Sequence, residues 1–258
     1  MTSPGTREIK NVDLFVNSAN RDYLNSVSST DFRINIVNPP KSKVLLCGLK
    51  SVTFPNTVNN VQDAAFIVTS SSGNVAITIP GGNYDISQFT TLLQTRLNAT
   101  GVDIYVVTVV NDHFQIVSSF AGFVLNPLAV FSRIMPTLGF LNSTSYPSTA
   151  GTLLAPFIFD LSGIKNVFIK ISQITGFIRN ALNVKYNYKF DLTCGYGSVI
   201  YFSDQSKYLQ EYDVAADNLV SNTFFDIQLV DEYGLVIDNG GLDWNFTLKL
   251  TTQNLNQP

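Results

Sequence analysis

Apolar residues recur at every second position over much of this chain, and this period restricts the fold more than any other feature of the sequence. The segments 32–36, 75–79 and 246–250 show it most clearly, since each alternates an apolar residue with a polar or small one. Such alternation is typical of a β-strand with one buried face. Further strands are predicted at 44–54, 105–110, 114–117, 167–171, 186–192, 199–202 and 224–230. The chain is therefore predicted to be mainly β.

One segment has helical spacing instead. Apolar residues at 86, 89, 92, 93 and 97 share one helix face. Asp85 precedes them and Gln88 stands three residues later, which is the arrangement of a capping box. The sequence predicts a helix over about 85–98, ending before Gly101. A second, short helical turn is predicted within 127–135, ahead of the Leu138-Gly139-Phe140 turn.

The order of these elements predicts a split domain. The chain is β in character up to about residue 60 and again from about residue 156, whereas roughly 61–150 mixes strands with the helix. Hydrophobic residues make up 45% of the chain and charged residues only 14%. This composition supplies enough apolar surface for a core, which excludes a disordered protein. We predict a single jelly-roll β-sandwich, residues 1–60 and 151–258, interrupted by an inserted small α+β domain, residues 61–150, with 142–152 as the returning linker.

Charge and hydropathy exclude two classes of partner. The 16 Lys and Arg against 19 Asp and Glu give a net charge of −3, and no basic run is present, so we expect no specific nucleic-acid partner. No apolar stretch approaches the ~20 residues of a transmembrane helix, so no transmembrane segment is expected. The first residues lack the layout of a signal peptide, which predicts synthesis and retention in a reducing compartment.

Residues for catalysis or metal binding are scarce. His113 is the one histidine of the chain, so a zinc site of the usual His/Cys type would lack ligands. A catalytic triad based on histidine would have to use this same residue. We interpret His113 as a solvated turn residue, and Cys47 and Cys194 as buried thiols. The glycines at 81 and 82 lack the spacing of a phosphate-binding loop, so they are interpreted as a turn into the helix. The turn Asp238-Asn239-Gly240-Gly241 predicts a tight hairpin that places Trp244 and Phe246 on one strand face.

Late carboxylates and some tyrosines offer further candidates. Paired acids serve glycoside hydrolysis or bind Ca²⁺, but acids at turns are more often simply solvated. Exposed tyrosines stack on sugars, although a tyrosine-rich sandwich mostly buries them. The acids are Asp213, Asp217, Asp226, Asp231, Glu232, Asp238 and Asp243, and the tyrosines are Tyr84, Tyr146 and Tyr208. We expect no catalytic residue, no metal ligand and no cofactor among them.

Several ordered motifs resemble one protein family. They are 14–23 (LFVNSANRDY), 29–34 (STDFRI), 52–57 (VTFPNT), 77–84 (ITIPGGNY), 138–140 (LGF), 231–234 (DEYG) and 239–248 (NGGLDWNFTL). Together they are similar to the penton, or minor capsid, proteins of virophages, polinton-like viruses and related large DNA viruses of eukaryotes. The motifs span nearly the whole chain in the family's order.

The resemblance implies a function without catalysis. Members of that family are single jelly rolls, five of which close each five-fold vertex of an icosahedral capsid, with insertions on the outside. It implies a virion structural protein that is made in the host cytoplasm, forms a homo-oligomer, with a pentamer favoured, and contacts the major capsid protein. It also makes the insertion a candidate for binding a host receptor or glycan.

Two alternatives to this function stay open. One is a trimeric spike, a fibre-like protein or a lectin-type host-recognition protein, which would bind glycans through the insertion. The other is an enzyme that uses a pair of the late carboxylates. The sequence does not identify interface residues for any of the three.

Overall fold

The computed structural model describes residues 9–36, 42–128, 133–175, 177–204, 211–213 and 224–254. Two of the candidate residues, Tyr208 and Asp217, lie outside these ranges. The chain divides into two compact units. The first is Met1–Val58 with Ile164–Pro258, and the second is Asn59–Gly163.

Strands dominate both units. In chain order they are β1 (Ile9–Asn17), β2 (Asp31–Asn35), β3 (Ser42–Pro55), β4 (Ala64–Ser70), β5 (Gly73–Ile79), β6 (Tyr105–Val110), β7 (His113–Ser118), β8 (Val124–Pro127), β9 (Tyr146–Pro147), β10 (Thr152–Leu154), β11 (Asn166–Ile171), β12 (Ile178–Arg179), β13 (Lys185–Tyr186), β14 (Tyr188–Asp191), β15 (Val199–Ser203), β16 (Glu211–Asp213), β17 (Phe224–Val230) and β18 (Asn245–Asn254). Helix α1 (Ile86–Asn98) follows β5, and α2 (Ile134–Thr137) follows β8. The prediction of a mainly β protein is confirmed.

The first unit is a jelly roll. One antiparallel sheet has the order β1-β18-β3-β15, with β16 also pairing with β3, and the other has the order β14-β11-β17-β2. Along the chain, β1, β3, β15 and β18 belong to the first of these sheets, and β2, β11, β14 and β17 to the second. This distribution of eight strands over two sheets is the jelly-roll topology. The second unit is inserted between β3 and β11.

The two sheets share one apolar core. Val16, Leu49 and Phe246 are buried from the first sheet, and Phe32 and Ile169 from the second, in a single cluster. Around them the period-two pattern directs alternate side chains inward. The two sheets therefore pack face to face, as the alternation in the sequence predicts.

One end of the sandwich collects four connections. Asn17 at the end of β1 pairs with Asn245 at the start of β18, which in turn pairs with Thr53 near the end of β3. Val199 at the start of β15 pairs with Pro55. The loops 18–30, 192–198 and 231–244, and the point where the chain leaves β3, therefore lie at the same end of the first unit.

The second unit has its own core. A sheet with the order β5-β4-β8-β9, a sheet with the order β10-β7-β6, and both helices contribute to one buried cluster that includes Phe66, Phe89 and Phe114. Asp85 caps α1 through its bond from the Gln88 amide, and the Gln88 side chain accepts from the Asp85 amide, so the predicted capping box is confirmed.

Three local predictions need correction. The return to the jelly roll falls after Gly163, not at 151, because Thr152–Leu154 pairs with β7 and Ala155 is buried in the second unit's core. The segment 142–152 is accordingly not a linker, since it holds β9 and the start of β10. The short helix is Ile134–Thr137, whereas Val124–Pro127 is a strand and 129–132 lies outside the described residues.

The predicted hairpin at 238–241 is also wrong. The strands on its two sides, β17 and β18, belong to different sheets. The positive φ values fall on Gly240 and Gly241, while the side chain of Asn239 is buried and hydrogen-bonded. Trp244 and Phe246 are nevertheless both buried, with stacked rings 4.9 Å apart between centroids.

The two cysteines differ in exposure. Cys47 is fully buried, as predicted, whereas Cys194 is only half-buried because it lies in the loop 192–198. Burial raises the pKa of Cys47 from 9.0 to about 12. The Cys47 thiol binds its proton more tightly in the folded chain than in the unfolded chain. Its contribution to the free energy of unfolding is therefore fully present below pH 9 and is lost as the pH rises from 9 towards 12.

We expect a thiol reagent to distinguish these cysteines at pH 8. A three-unit rise in pKa lowers the thiolate fraction about 1,000-fold, so Cys47 in the native protein should react far more slowly than Cys194. The measurement is labelling followed by mass spectrometry. A Cys194→Ser variant is the control and should stay unlabelled until denatured. Rapid native labelling of that variant would contradict the burial of Cys47.

No helix in the described ranges is long and apolar enough to cross a membrane.

Candidate assembly surfaces

The first candidate surface is an edge of the jelly roll, which we name the first flank and define as β1 with the loop 18–30. β1 is the edge strand of its sheet. Val16 faces the core and Phe15 faces outward, 61% exposed. The loop presents Leu24, 95% exposed, and Val27, 86% exposed. The other exposed apolar or aromatic side chains of this flank are Ile9, Val12 and Tyr23.

Polar contacts inside the chain hold this loop in shape. The Asp22 carboxylate accepts from the Leu24 amide at 3.1 Å and from Asn25 Nδ2 at 2.7 Å, and the Asn25 bond holds the pKa of Asp22 below its ordinary value. The Asp22 amide donates to the Arg33 carbonyl at 2.7 Å, which ties the loop to β2. Leu24 and Val27 are therefore exposed on a loop whose backbone is well bonded.

The second candidate surface lies at the other edge of the same sheet, and we name it the second flank: the loop 192–198 with β15. It exposes Tyr196 (60%), Val199 (45%) and Tyr201 (78%). Asn56 braces this loop. Its Nδ2 donates to the Cys194 carbonyl at 2.6 Å, and its backbone exchanges hydrogen bonds with Gly197 and Ser198.

Polar side chains of β18 and β3 separate the flanks on the outer face of the sheet. Phe15 pairs with Thr247, which pairs with Ser51, whereas Tyr201 pairs with Thr53, which pairs with Asn245. Three strand spacings place β1 and β15 about 14 Å apart. The flanks are therefore two distinct apolar surfaces and not one continuous patch.

A buried hydrogen-bond network joins the loops at this end. Trp244 Nε1 donates to the Ser29 carbonyl at 2.7 Å, and Ser29 Oγ donates to Asn239 Oδ1 at 3.0 Å. The Asn239 carbonyl accepts from Thr57 Oγ1. Ser18 Oγ donates to the Asp243 carboxylate at 2.9 Å and accepts from the Trp244 amide at 3.0 Å. This network links the loop of the first flank to the loop 231–244 and to the end of β3.

The outer face of the other sheet is covered in part by the chain itself. Phe168 and Val230 form a small buried cluster with Tyr186, which belongs to the β12–β13 hairpin. Beside them Arg33 makes a bidentate pair with Asp226, at 2.7 and 3.1 Å, and its guanidinium lies 3.8 Å from the Phe224 ring centroid. Apolar side chains on this face are therefore packed within the chain.

The second unit exposes an uncharged sheet face. Val106 pairs with Val117 on the outer side of the β10-β7-β6 sheet, and Leu154 pairs with Gln115. These three apolar side chains are 47%, 38% and 50% exposed, respectively. The strand β6 is apolar on both sides, which is unusual for a sheet with one face in solvent.

The structure places the predicted chemical residues apart from one another. His113 is not a solvated turn residue, because it begins β7 and its Nδ1 lies 2.8 Å from the Ala155 carbonyl oxygen. The turn before it is made by Asn111 and Asp112, both with positive φ. Tyr84 packs on Phe89 and Tyr146 packs on Phe140, and both tyrosines are half-buried. Neither ring is therefore an exposed surface on which a sugar could stack.

Three of the late carboxylates have separate structural partners. Asp226 pairs with Arg33, Asp243 pairs with Arg21 at 2.7 Å, and the buried Asp231 accepts from the Tyr233 and Leu235 amides. Among the residues that the structure describes, no group of three or more His, Cys, Asp or Glu is placed to hold a metal ion. The glycines at 81 and 82 lie in the turn between β5 and α1, as predicted.

Comparison with known proteins adds little to this geometry. No protein-family model matches the chain, and no curated protein matches it. Among solved structures, the chain is similar to the mavirus penton protein, with a TM-score of 0.34 and 11% identity over 94% of this chain and 99% of that one. A similarity of this extent supports no conclusion about function.

Proposed function

We propose that this chain is a virion structural protein, a penton or minor capsid protein that closes the five-fold vertices of an icosahedral capsid as a homopentamer. Two features support the proposal. The sequence motifs resemble that family along nearly the whole chain, and the first unit has the jelly-roll topology, which is common in viral capsid proteins. In this proposal the major capsid protein surrounds the ring.

The observation that carries the proposal is the pair of flanks. A closed ring of identical subunits needs two different surfaces on each subunit, one for each neighbour. The first and second flanks are such a pair, since both expose apolar side chains and they occupy opposite edges of one sheet. A lectin or a carboxylate enzyme does not require this arrangement.

A trimeric spike would also form a closed ring, so the subunit number must be measured. Light scattering of the purified protein over a concentration series should give about 142 kDa, the mass of five 28.4 kDa chains. A trimer, about 85 kDa, would contradict the penton proposal and support the spike. If the ring forms only within the capsid, a reconstruction of the particle is the measurement that tests the proposal. Density for this chain away from the five-fold vertices would exclude it.

The host-binding role of the insertion is part of the same proposal. The uncharged face with Val106, Val117 and Leu154 is the surface of the second unit to test first.

A further inference from the structure

We infer that the first flank of one copy binds the second flank of the next copy. The inference rests on the proposed function in one respect, namely that copies of this chain assemble with one another. It goes beyond that function by assigning the contact to Phe15, Leu24 and Val27 on one side and to Tyr196 and Tyr201 on the other.

The composition of the flanks fits a protein interface. Interface centres are depleted of charge and enriched in aromatic residues. A whole aromatic side chain offers about 150–250 Å², so Phe15 and Tyr23 at their exposures contribute roughly 250 Å² to the first flank. Tyr196 and Tyr201 contribute about the same, roughly 250 Å², to the second flank. These pairs alone supply about a third of the ~800 Å² per partner that a stable interface buries.

The charges near the flanks also permit close contact. On the first flank, Asp13 pairs with Lys50 at 2.5 Å and Arg21 with Asp243 at 2.7 Å. On β14, next to the second flank, Lys189 pairs with Asp191 at 3.0 Å. Each of these six charges has its counter-ion within the chain, and the Asp22 carboxylate accepts from the Leu24 amide and Asn25 Nδ2, so bringing the flanks together leaves none of these groups without a partner.

A head-to-tail contact uses both surfaces, whereas a same-to-same contact does not. If the first flank bound another first flank, two copies would form a closed dimer and the second flank would stay in solvent. Binding the first flank to the second buries both on every copy of a ring. The bonded backbone of both loops holds the apolar side chains out before association, which lowers the cost of ordering them.

The test uses one charged substitution on each flank. Leu24→Asp and Tyr201→Asp change side chains that are 95% and 78% exposed, so both variants should fold, which circular dichroism and thermal unfolding check. We expect each variant alone to give a 28.4 kDa monomer. Ile158→Asp, at a 64% exposed position of the second unit outside all of the candidate surfaces, is the matched control and should keep the wild-type mass.

Mixing the two variants distinguishes the modes of contact. The intact second flank of Leu24→Asp and the intact first flank of Tyr201→Asp can form one interface and no more, so the mixture should give a dimer, about 57 kDa for two 28.4 kDa chains. For a wild type that assembles in solution, a mixture that stays monomeric at the highest concentration reached, or single variants that keep the wild-type mass, would overturn the inference.

The same experiment separates this inference from the proposed function. A wild-type trimer that both substitutions dissociate would support the flank contact and contradict the pentamer. A wild-type pentamer that neither substitution affects would support the pentamer and contradict the flank contact. If the wild type assembles only in particles, the readout is incorporation, which Leu24→Asp and Tyr201→Asp should each abolish while Ile158→Asp does not.

Discussion

Replacing Trp244 with alanine is expected to lower the free energy of unfolding of the jelly-roll unit by about 3–5 kcal/mol, the range for removal of a large buried aromatic side chain. Trp244 is 1% exposed. Its ring stacks on Phe246 and makes edge contacts with Phe32, at 5.9 Å, and Phe54, at 6.2 Å, between centroids. The substitution therefore opens a cavity between side chains of both sheets.

The same substitution removes a buried hydrogen bond. Trp244 Nε1 donates to the Ser29 carbonyl, and a buried acceptor left without its partner costs about 1–3 kcal/mol. Because Ser29 belongs to the loop of the first flank, we also expect assembly to weaken. Trp244→Phe keeps most of the ring but loses this bond, so its effect on stability should lie between those of the wild type and Trp244→Ala.

Urea unfolding followed by circular dichroism measures this effect. Tryptophan fluorescence is unsuitable because Trp244 is the single tryptophan of the chain. Phe177→Ala is the control, since Phe177 is an aromatic residue of the same unit that lies outside both flanks and is 40% exposed. Among the described residues its only ring contacts are with the cations of Arg179 and Lys185, so its loss should cost less, about 1–2 kcal/mol. A Trp244→Ala variant no less stable than this control would show that the ring does not hold the two sheets together.

Much of the fold could be predicted from local patterns. The strands with one buried face and the capping box of α1 depend on neighbouring residues, so the sequence alone identifies them. The pattern does not predict β1, because this edge strand has apolar residues on both faces, such as Phe15 and Val16. The sequence pattern places the return to the jelly roll too early, since the three residues of β10 are recognisable only by their pairing with β7.

The candidate assembly surfaces could not be predicted from the sequence. Leu24, Val27 and Tyr201 are residue types that are common in protein cores. Nothing near them in the sequence distinguishes an exposed apolar side chain from a buried one. Their exposure depends on strand order, which places β1 and β15 at opposite edges. The network through Ser18, Ser29 and Asn239 leaves no local pattern in the sequence, since its bonded partners are about 210–226 positions apart along the chain.

Replacing Gly139 with alanine is expected to destabilise the second unit by about 3 kcal/mol or more, because a left-handed backbone and a steric clash act together. Gly139 has φ +83° and follows α2. Its amide donates to the Pro136 carbonyl, and the next amide, that of Phe140, donates to the Met135 carbonyl at 2.8 Å. This pair of bonds is a Schellman motif, which needs the left-handed conformation at Gly139.

The clash adds to the backbone strain. A Cβ at position 139 would lie 2.2 Å from the Phe157 carbonyl oxygen, and 3.2 Å from that of Ile158. These are backbone atoms, so no flexible side chain can move aside. Relief would require the 157–158 segment to shift, which would break the hydrogen bond from the Phe157 amide to the Gly139 carbonyl, 3.1 Å long.

Gly101→Ala is a matched control for this prediction. Gly101 belongs to the same unit and has φ +74°, but a Cβ there would meet nothing within 4 Å. It should cost only the strain of the left-handed conformation, about 1–2 kcal/mol. The difference between the two variants in urea unfolding then isolates the clash. Hydrogen exchange should rise in 134–160 for Gly139→Ala and stay unchanged in β11 and β17 of the jelly roll. Equal stabilities for the two variants would mean that the 157–158 segment yields freely, and that its close approach to Gly139 does not stabilise the second unit.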